Sequence, residues 1–186
     1  MDKEHFCLLG KYNRETNKKM NSLIKELTEE DWNKEFPGFY KSIHGLCSHL
    51  FICDCIWLNR IKTIDNYKSL NNEYFNKTYN IKKNSDINEY LIKIHFEKII
   101  FKNIEEYLRK RSKLDNIIVD FINEIAKTDL RKTVKFVNHK GLTLEKRMDV
   151  MLIHMFNHDT HHRGMISLYL EVLGKENDYS GLYFYG

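Results

Sequence analysis

An all-α four-helix bundle, with a small β-hairpin ahead of the last helix, is the fold this sequence predicts. Three observations point to it. A single Pro and eight Gly interrupt 186 residues, so few positions force the backbone out of regular structure. Leu, Ile, Lys and Glu are abundant, a composition suited to long helices. Apolar residues recur at helical spacing through most of the chain, with two short β-branched and aromatic runs on either side of Asn138-His139-Lys140-Gly141 as the exception. The length suits one domain over residues 1–186, with room for a sizeable core.

The first helix is expected over about residues 4–27, where Phe6, Leu9, Tyr12, Met20, Leu23, Ile24 and Leu27 form an imperfect apolar stripe. Thr28-Glu29-Glu30-Asp31 can cap a short turn, and Pro37-Gly38 breaks the chain. A second helix is expected over about residues 42–64. Residues 66–85 are rich in Asn, Lys and Tyr with little periodicity and are expected to form a loop. Ser85-Asp86 then starts a long helical region carrying Ile87, Leu91, Ile94, Phe101 and Leu108. Its stripe drifts after Leu108, which predicts a kink or break at residues 111–113 before Leu114, Ile117, Ile118, Phe121 and Ile125 resume. Thr133, Val134, Phe136 and Val137, then Leu142 and Leu144, form the expected hairpin. The last helix is expected over residues 144–173, closed by Gly174.

Composition narrows the function. A net charge of +4 is spread along the chain, and the pI of 8.7 falls short of a strongly basic nucleic-acid-binding domain. The densest basic run, Arg109-Lys110-Arg111 with Lys113, is interleaved with Glu105 and Glu106 and is expected to be a solvated helix face. Nucleic acid is therefore an unexpected partner. The N-terminus has no secretory signal pattern and no apolar run is long enough to cross a bilayer, so a cytoplasmic protein away from the membrane is expected. Cys7, Cys47, Cys53 and Cys55 include no C-x-x-C pair and are expected to be free thiols.

The densest chemistry is histidine. His154, His158, His161 and His162 crowd into nine residues of the last helix, and imidazoles at i, i+4 on one helical face can hold one divalent ion. At about 100° per residue, with His158 at zero, Met151 and Tyr169 fall near 20°, Met155 and Leu173 near 60°, and Met148 and Ile166 near 80°. His162 lies within that stripe, near 40°, whereas His154 and His161 lie at its margin, near −40° and −60°. On the second helix His49 borders the core stripe, and His44, near 220° from it, is expected at the surface. Two readings stay open on this arithmetic: ligands of one metal ion, or core histidines with ordinary partners.

The segment His44-Gly-Leu-Cys-Ser-His49-Leu-Phe-Ile-Cys-Asp54-Cys-Ile-Trp57-Leu-Asn-Arg60, together with His154-Met-Phe-Asn157-His158-Asp-Thr-His161-His162-Arg163-Gly164, resembles the DinB-like (DinB/YfiT-like) family of small bacterial proteins. That group is unrelated to the translesion polymerase that shares the name. The likeness extends to Tyr12-Asn13 and to the closing Leu182-Tyr183-Phe184. It implies a four-helix bundle, often a homodimer, that binds one divalent ion through His49, His158 and His162. Nickel or zinc is the ion it implies first, with manganese or iron as alternatives. It also implies a DNA-damage-inducible protein acting on a small-molecule substrate, by transfer or isomerisation with a low-molecular-weight thiol or by metal-dependent hydrolysis. A non-catalytic metal-binding stress-response or interaction protein is the alternative. His161 and His154 flank the site as proton-relay candidates for catalysis. Asp54 and Arg163 are expected to be packing or ion-pair residues, and Cys53 a packing thiol. Met165 stands where the family commonly has Gln, which removes a polar group from the border of the site.

Overall fold

The computed structural model describes residues 1–71, 99–138 and 140–186. The start expected for the third helical region, at Ser85-Asp86, and most of the expected 66–85 loop lie outside them. Among the described residues four long helices and one short one pack around a shared apolar core, with a two-stranded hairpin before the last helix.

Helix α1 (Lys3–Ile24) begins at Asp2, whose carboxylate accepts from His5 N at 3.2 Å and satisfies one of the free amides of the first turn. Its buried face runs Phe6, Gly10, Asn13, Asn17, Met20, Ile24, alternating steps of four and three residues. Helix α2 (Glu29–Asn33) is capped by Thr28, as the sequence predicts, and buries Trp32 completely. Helix α3 (Ile43–Ile61) starts at Ser42, whose hydroxyl accepts from Gly45 N at 3.0 Å, and is buried on almost every side.

Helix α4 (Ile104–Glu124) starts at Asn103, whose side chain accepts from Glu106 N at 2.9 Å. It runs unbroken through residues 111–113, where a kink was expected. The stripe does not drift. Ile104, Tyr107, Arg111, Leu114, Ile118 and Phe121 share its buried face, and the position that looked wrong is held by a buried arginine. Arg111 is 3% exposed and is no part of a solvated basic face.

Strands β1 (Thr133–Val137) and β2 (Thr143–Arg147) pair antiparallel, with Thr133 opposite Arg147 and Val137 opposite Thr143. This pairing holds residues 143–147 extended, so helix α5 (Met148–Val172) begins four residues later than expected. Its end is as the sequence predicts. Gly174 takes φ 77°, Lys175 N donates to Leu170 O and Gly174 N to Glu171 O, both at 2.9 Å, which closes the helix in a Schellman turn.

Helix α1 packs against α4 and α5, and α3 against α5. A buried polar chain crosses all four. Arg163 of α5 donates to Asn13 and Asn17 of α1, Asn17 Nδ2 donates to Asp115 of α4 at 2.9 Å, and Arg111 joins Asp115 to Asp54 of α3. Asp54 and Arg163 are thus interhelical packing residues, as expected. All four cysteines are free. No helix of the described residues is long and apolar enough to cross a membrane.

Candidate metal centre

The site begins with a tight approach at the start of α3. An added Cβ on Gly45 would sit 2.3 Å from the carbonyl oxygen of Tyr40, so only glycine lets residues 36–41 fold back onto the helix. Lys41 makes the bend with φ 56°, and Phe36 N donates to Lys41 O. The segment is pinned to α5 by Phe36 stacked on Tyr169, centroids 4.3 Å apart, and by the Tyr169 hydroxyl donating to Pro37 O at 3.0 Å. This folding lays the Tyr40 ring over His49, centroids 4.2 Å apart, with the hydroxyl 3.0 Å from His49 Nε2.

Across the α3–α5 contact, His49 meets His158 and His162. One ligand atom from each of these three side chains falls within a set no more than 4.8 Å apart. His49 Nε2 and His158 Nε2 approach to 3.1 Å. Metal–nitrogen bonds of about 2.0–2.1 Å, at angles between octahedral and tetrahedral, separate donor nitrogens by roughly 2.9–3.4 Å, so this spacing fits two ligands of one ion. Burial, then the neighbouring imidazoles, lowers the pKa of His49 to about 3, and burial and His158 lower that of His162 to about 3. Burial also lowers His158. All three are neutral at pH 7 and present lone pairs rather than charge, as metal ligation requires. The Nδ1 atoms of His158 and His162 are buried with no hydrogen-bond partner. The donor set therefore fits a divalent metal ion.

The other histidines fall differently. His154 is exposed and rests edge-on against Trp57, centroids 4.7 Å apart. His161 is exposed and touches the His162 ring. His44, expected at the surface, is only 4% exposed: α2 covers that side of α3, so its ring stacks on Trp32 and its Nδ1 lies 2.9 Å from Asn33 Oδ1. Cys53 Sγ lies 3.6 Å from His49 Nε2, and burial raises the thiol pKa far above its ordinary value. It is a packing thiol, not a thiolate.

His49 and His158 stand in the wall of a cavity of about 500 Å³ between α3, α5 and the hairpin. Its remaining lining is largely apolar, including Ile52, Ile56, Trp57 and Met151, with Arg60 and Lys146 as its cations.

One site residue, and one buried acid behind the site, escaped the sequence reading. Tyr40 lies in an irregular stretch with no period to orient it. Asp159, next to His158, is 2% exposed and neither carboxylate oxygen has a hydrogen-bond partner. Burial, then the charge of Asp54, raises its pKa well above the usual carboxylate range. One residue on from His158 it falls near 100°, at the rim of the core stripe, so the same helical arithmetic places it inside.

A helical bundle that gathers three neutral imidazoles from two facing helices defines a class of protein able to hold a metal ion within its core. The chain belongs to the DinB family, whose sequence model matches residues 1–181. It is similar to a Bacillus subtilis (strain 168) protein named Protein DinB, 25% identical over 182 residues, which cover 95% of this chain and 92% of that one. No solved structure is significantly similar.

Proposed function

We propose that His49, His158 and His162 hold one divalent ion, nickel or zinc before manganese or iron, and that the protein is a metal-dependent enzyme acting on a small molecule in the adjoining cleft. The reaction is S-transfer from a low-molecular-weight thiol, or hydrolysis. Its family likeness adds a cytoplasmic, DNA-damage-inducible homodimer. The observation that supports this reading best is the placing of neutral donor nitrogens in the wall of a cavity of about 500 Å³. When bound, the ion supplies Lewis acidity, lowering the proton affinity of a thiol or water beside it.

The chain's own groups have separate tasks in this scheme. Ile52, Ile56 and Met151 exclude water from the reacting end. Tyr40, its pKa pushed up by burial to about 12, keeps its proton on Oη beside His49 Nε2 and can donate it to a group bound there. His154 borders the cleft, where burial and the charge of Arg60 keep it neutral, and can accept a proton at its rim. His161 is not among the residues that line the cleft and carries less of the case as a relay.

The competing reading, an ion that only staples α3 to α5 in a stress-response or interaction protein, is favoured by the same Tyr40 hydroxyl, which offers a fourth donor to close the site. Conjugation of 1-chloro-2,4-dinitrobenzene to cysteine or glutathione separates the two. The enzyme reading expects zinc- or nickel-loaded protein to exceed the metal-free protein at least a hundredfold. A hydrolytic role is checked in parallel with p-nitrophenyl acetate. Equal rates with and without metal in both assays leave the staple.

A further inference from the structure

We propose that Arg60 is an anion anchor at the His154 side of the cleft, away from the cluster of His49, His158 and His162, and that it selects small molecules with an apolar body and a terminal carboxylate or comparable oxyanion. This deepens the reading of the cleft as a substrate site and rests on it.

Arg60 is 6% exposed, yet no carboxylate among the described residues pairs with it. Its guanidinium carbon lies 4.6 Å from the Trp57 ring centroid and 4.3 Å from that of Phe136. One long hydrogen bond, from Nη2 to Val137 O at 3.4 Å, ties it to the hairpin, and Nε has no partner. The other two buried arginines are treated differently. Arg111 is held by two aspartates and Arg163 by two asparagine side chains. Aromatic faces attract a cation but neither neutralise it nor accept five N–H donors in a plane. Burial accordingly lowers the Arg60 pKa to about 10. A guanidinium desolvated to this degree is stabilised when an oxyanion completes it, and its fork matches a carboxylate.

Position along the helix gives the ligand its second end. Arg60 is eleven residues past His49, which returns it to about 20° from the same face some 16 Å further along the axis. The floor between them is Cys53, Ile56 and Trp57. The described residues lining the cavity include Arg60 and Lys146 but no Asp or Glu, so its field favours an anion at the Arg60 end. A molecule lying along this floor sets its charged end on Arg60 and its reacting end beside the histidine cluster.

The test uses two naphthalene dyes of similar shape, anionic 8-anilinonaphthalene-1-sulfonate and uncharged N-phenyl-1-naphthylamine, titrated by fluorescence into the full chain. The native protein is expected to bind the sulfonate at least tenfold more tightly, and 2-naphthoate but not 2-naphthamide is expected to displace it. Arg60→Met should erase the preference without changing affinity for the neutral dye, and Arg60→Lys should keep part of it. Equal binding of the two dyes by native protein, binding of neither, displacement by the amide as readily as by the acid, or a preference that survives Arg60→Met overturns the anchor. Naphthoate against naphthamide in metal-free protein and in metal-free Lys146→Met needs no Arg60 variant, so a folding failure of Arg60→Met leaves the question decidable. Bound metal, measured in the same samples, keeps the two readings apart. Metal without dye selectivity removes the anchor alone, and dye selectivity in protein that binds no metal removes the metal centre alone.

Discussion

Arg111 of α4 reaches into α3 and bonds Asp54, Nη1 to Oδ2 at 2.6 Å, while its Nε bonds Asp115 on its own helix at 2.9 Å. All three residues are at most 3% exposed. Asp54 neighbours Cys53 and lies five residues past His49, so this ion pair fixes the part of α3 that carries the site. Removing one member strands buried charge. Arg111→Met is expected to cost about 3–5 kcal/mol in urea unfolding, whereas Arg111→Met combined with Asp54→Asn should recover part of that loss. A single variant within about 1 kcal/mol of the native protein would show that the pair does not hold the helices together.

Metal uptake should separate the histidines. His49→Ala, His158→Ala and His162→Ala are each expected to fall from about one bound ion per chain to less than about a tenth in elemental analysis. His44→Ala should retain the ion but lose about 2–4 kcal/mol of stability, because it empties the stack on Trp32. Full metal content in the His158 variant would remove that residue from the ligand set.

The metal-free protein should weaken as it is acidified. Unfolded imidazoles titrate near 6.5, whereas His49 and His162 titrate at about 3 in the fold. Between these values the unfolded chain binds more protons, so stability is full above about pH 6.5 and is lost as pH falls toward 3. Urea midpoints at pH 7.5, 6.5 and 5.5, a range above most carboxylate titration, should decrease in that order. The slope should flatten when both residues are changed to Gln, and an equally steep slope in that variant would assign it to other groups.

Gly45→Ala tests the bend that delivers Tyr40. The new Cβ would meet the Tyr40 carbonyl at 2.3 Å, so residues 36–41 must move away from α3. A loss of about 1–3 kcal/mol is expected, with a several-fold weaker zinc affinity by competition with a chelating dye. Unchanged stability would mean that the approach relaxes at little cost.

The helices could be read from the sequence where local chemistry sets them: Ser42, Gly174 and the short turn at Thr28 mark ends that the structure keeps. The inward faces of His158 and His162 likewise follow from angle alone. What was misread depends on partners distant in the chain. Arg111 seemed to interrupt the stripe of α4 because its counter-ion Asp54 is 57 residues away. His44 seemed exposed because α2, which covers it, is too short to register as a packing helix in a periodic pattern. Residues 144–147 have no strong preference against helix, and it is their pairing with β1 that makes them a strand. Arg60 could be seen in the sequence as a residue but not as an unpaired one, since a missing partner has no local signature.

The unequal division of the histidine cluster, with two members on α5 and one on α3, also orders its assembly. His158 and His162 are one helical turn apart and come into register as soon as α5 winds, an event of local contacts on the microsecond scale. His49 joins them across 109 residues of sequence, a contact that must wait for chain closure. The α5 pair is thus the part of the cluster that local contacts alone can form, and the third imidazole is added only by the docking of α3.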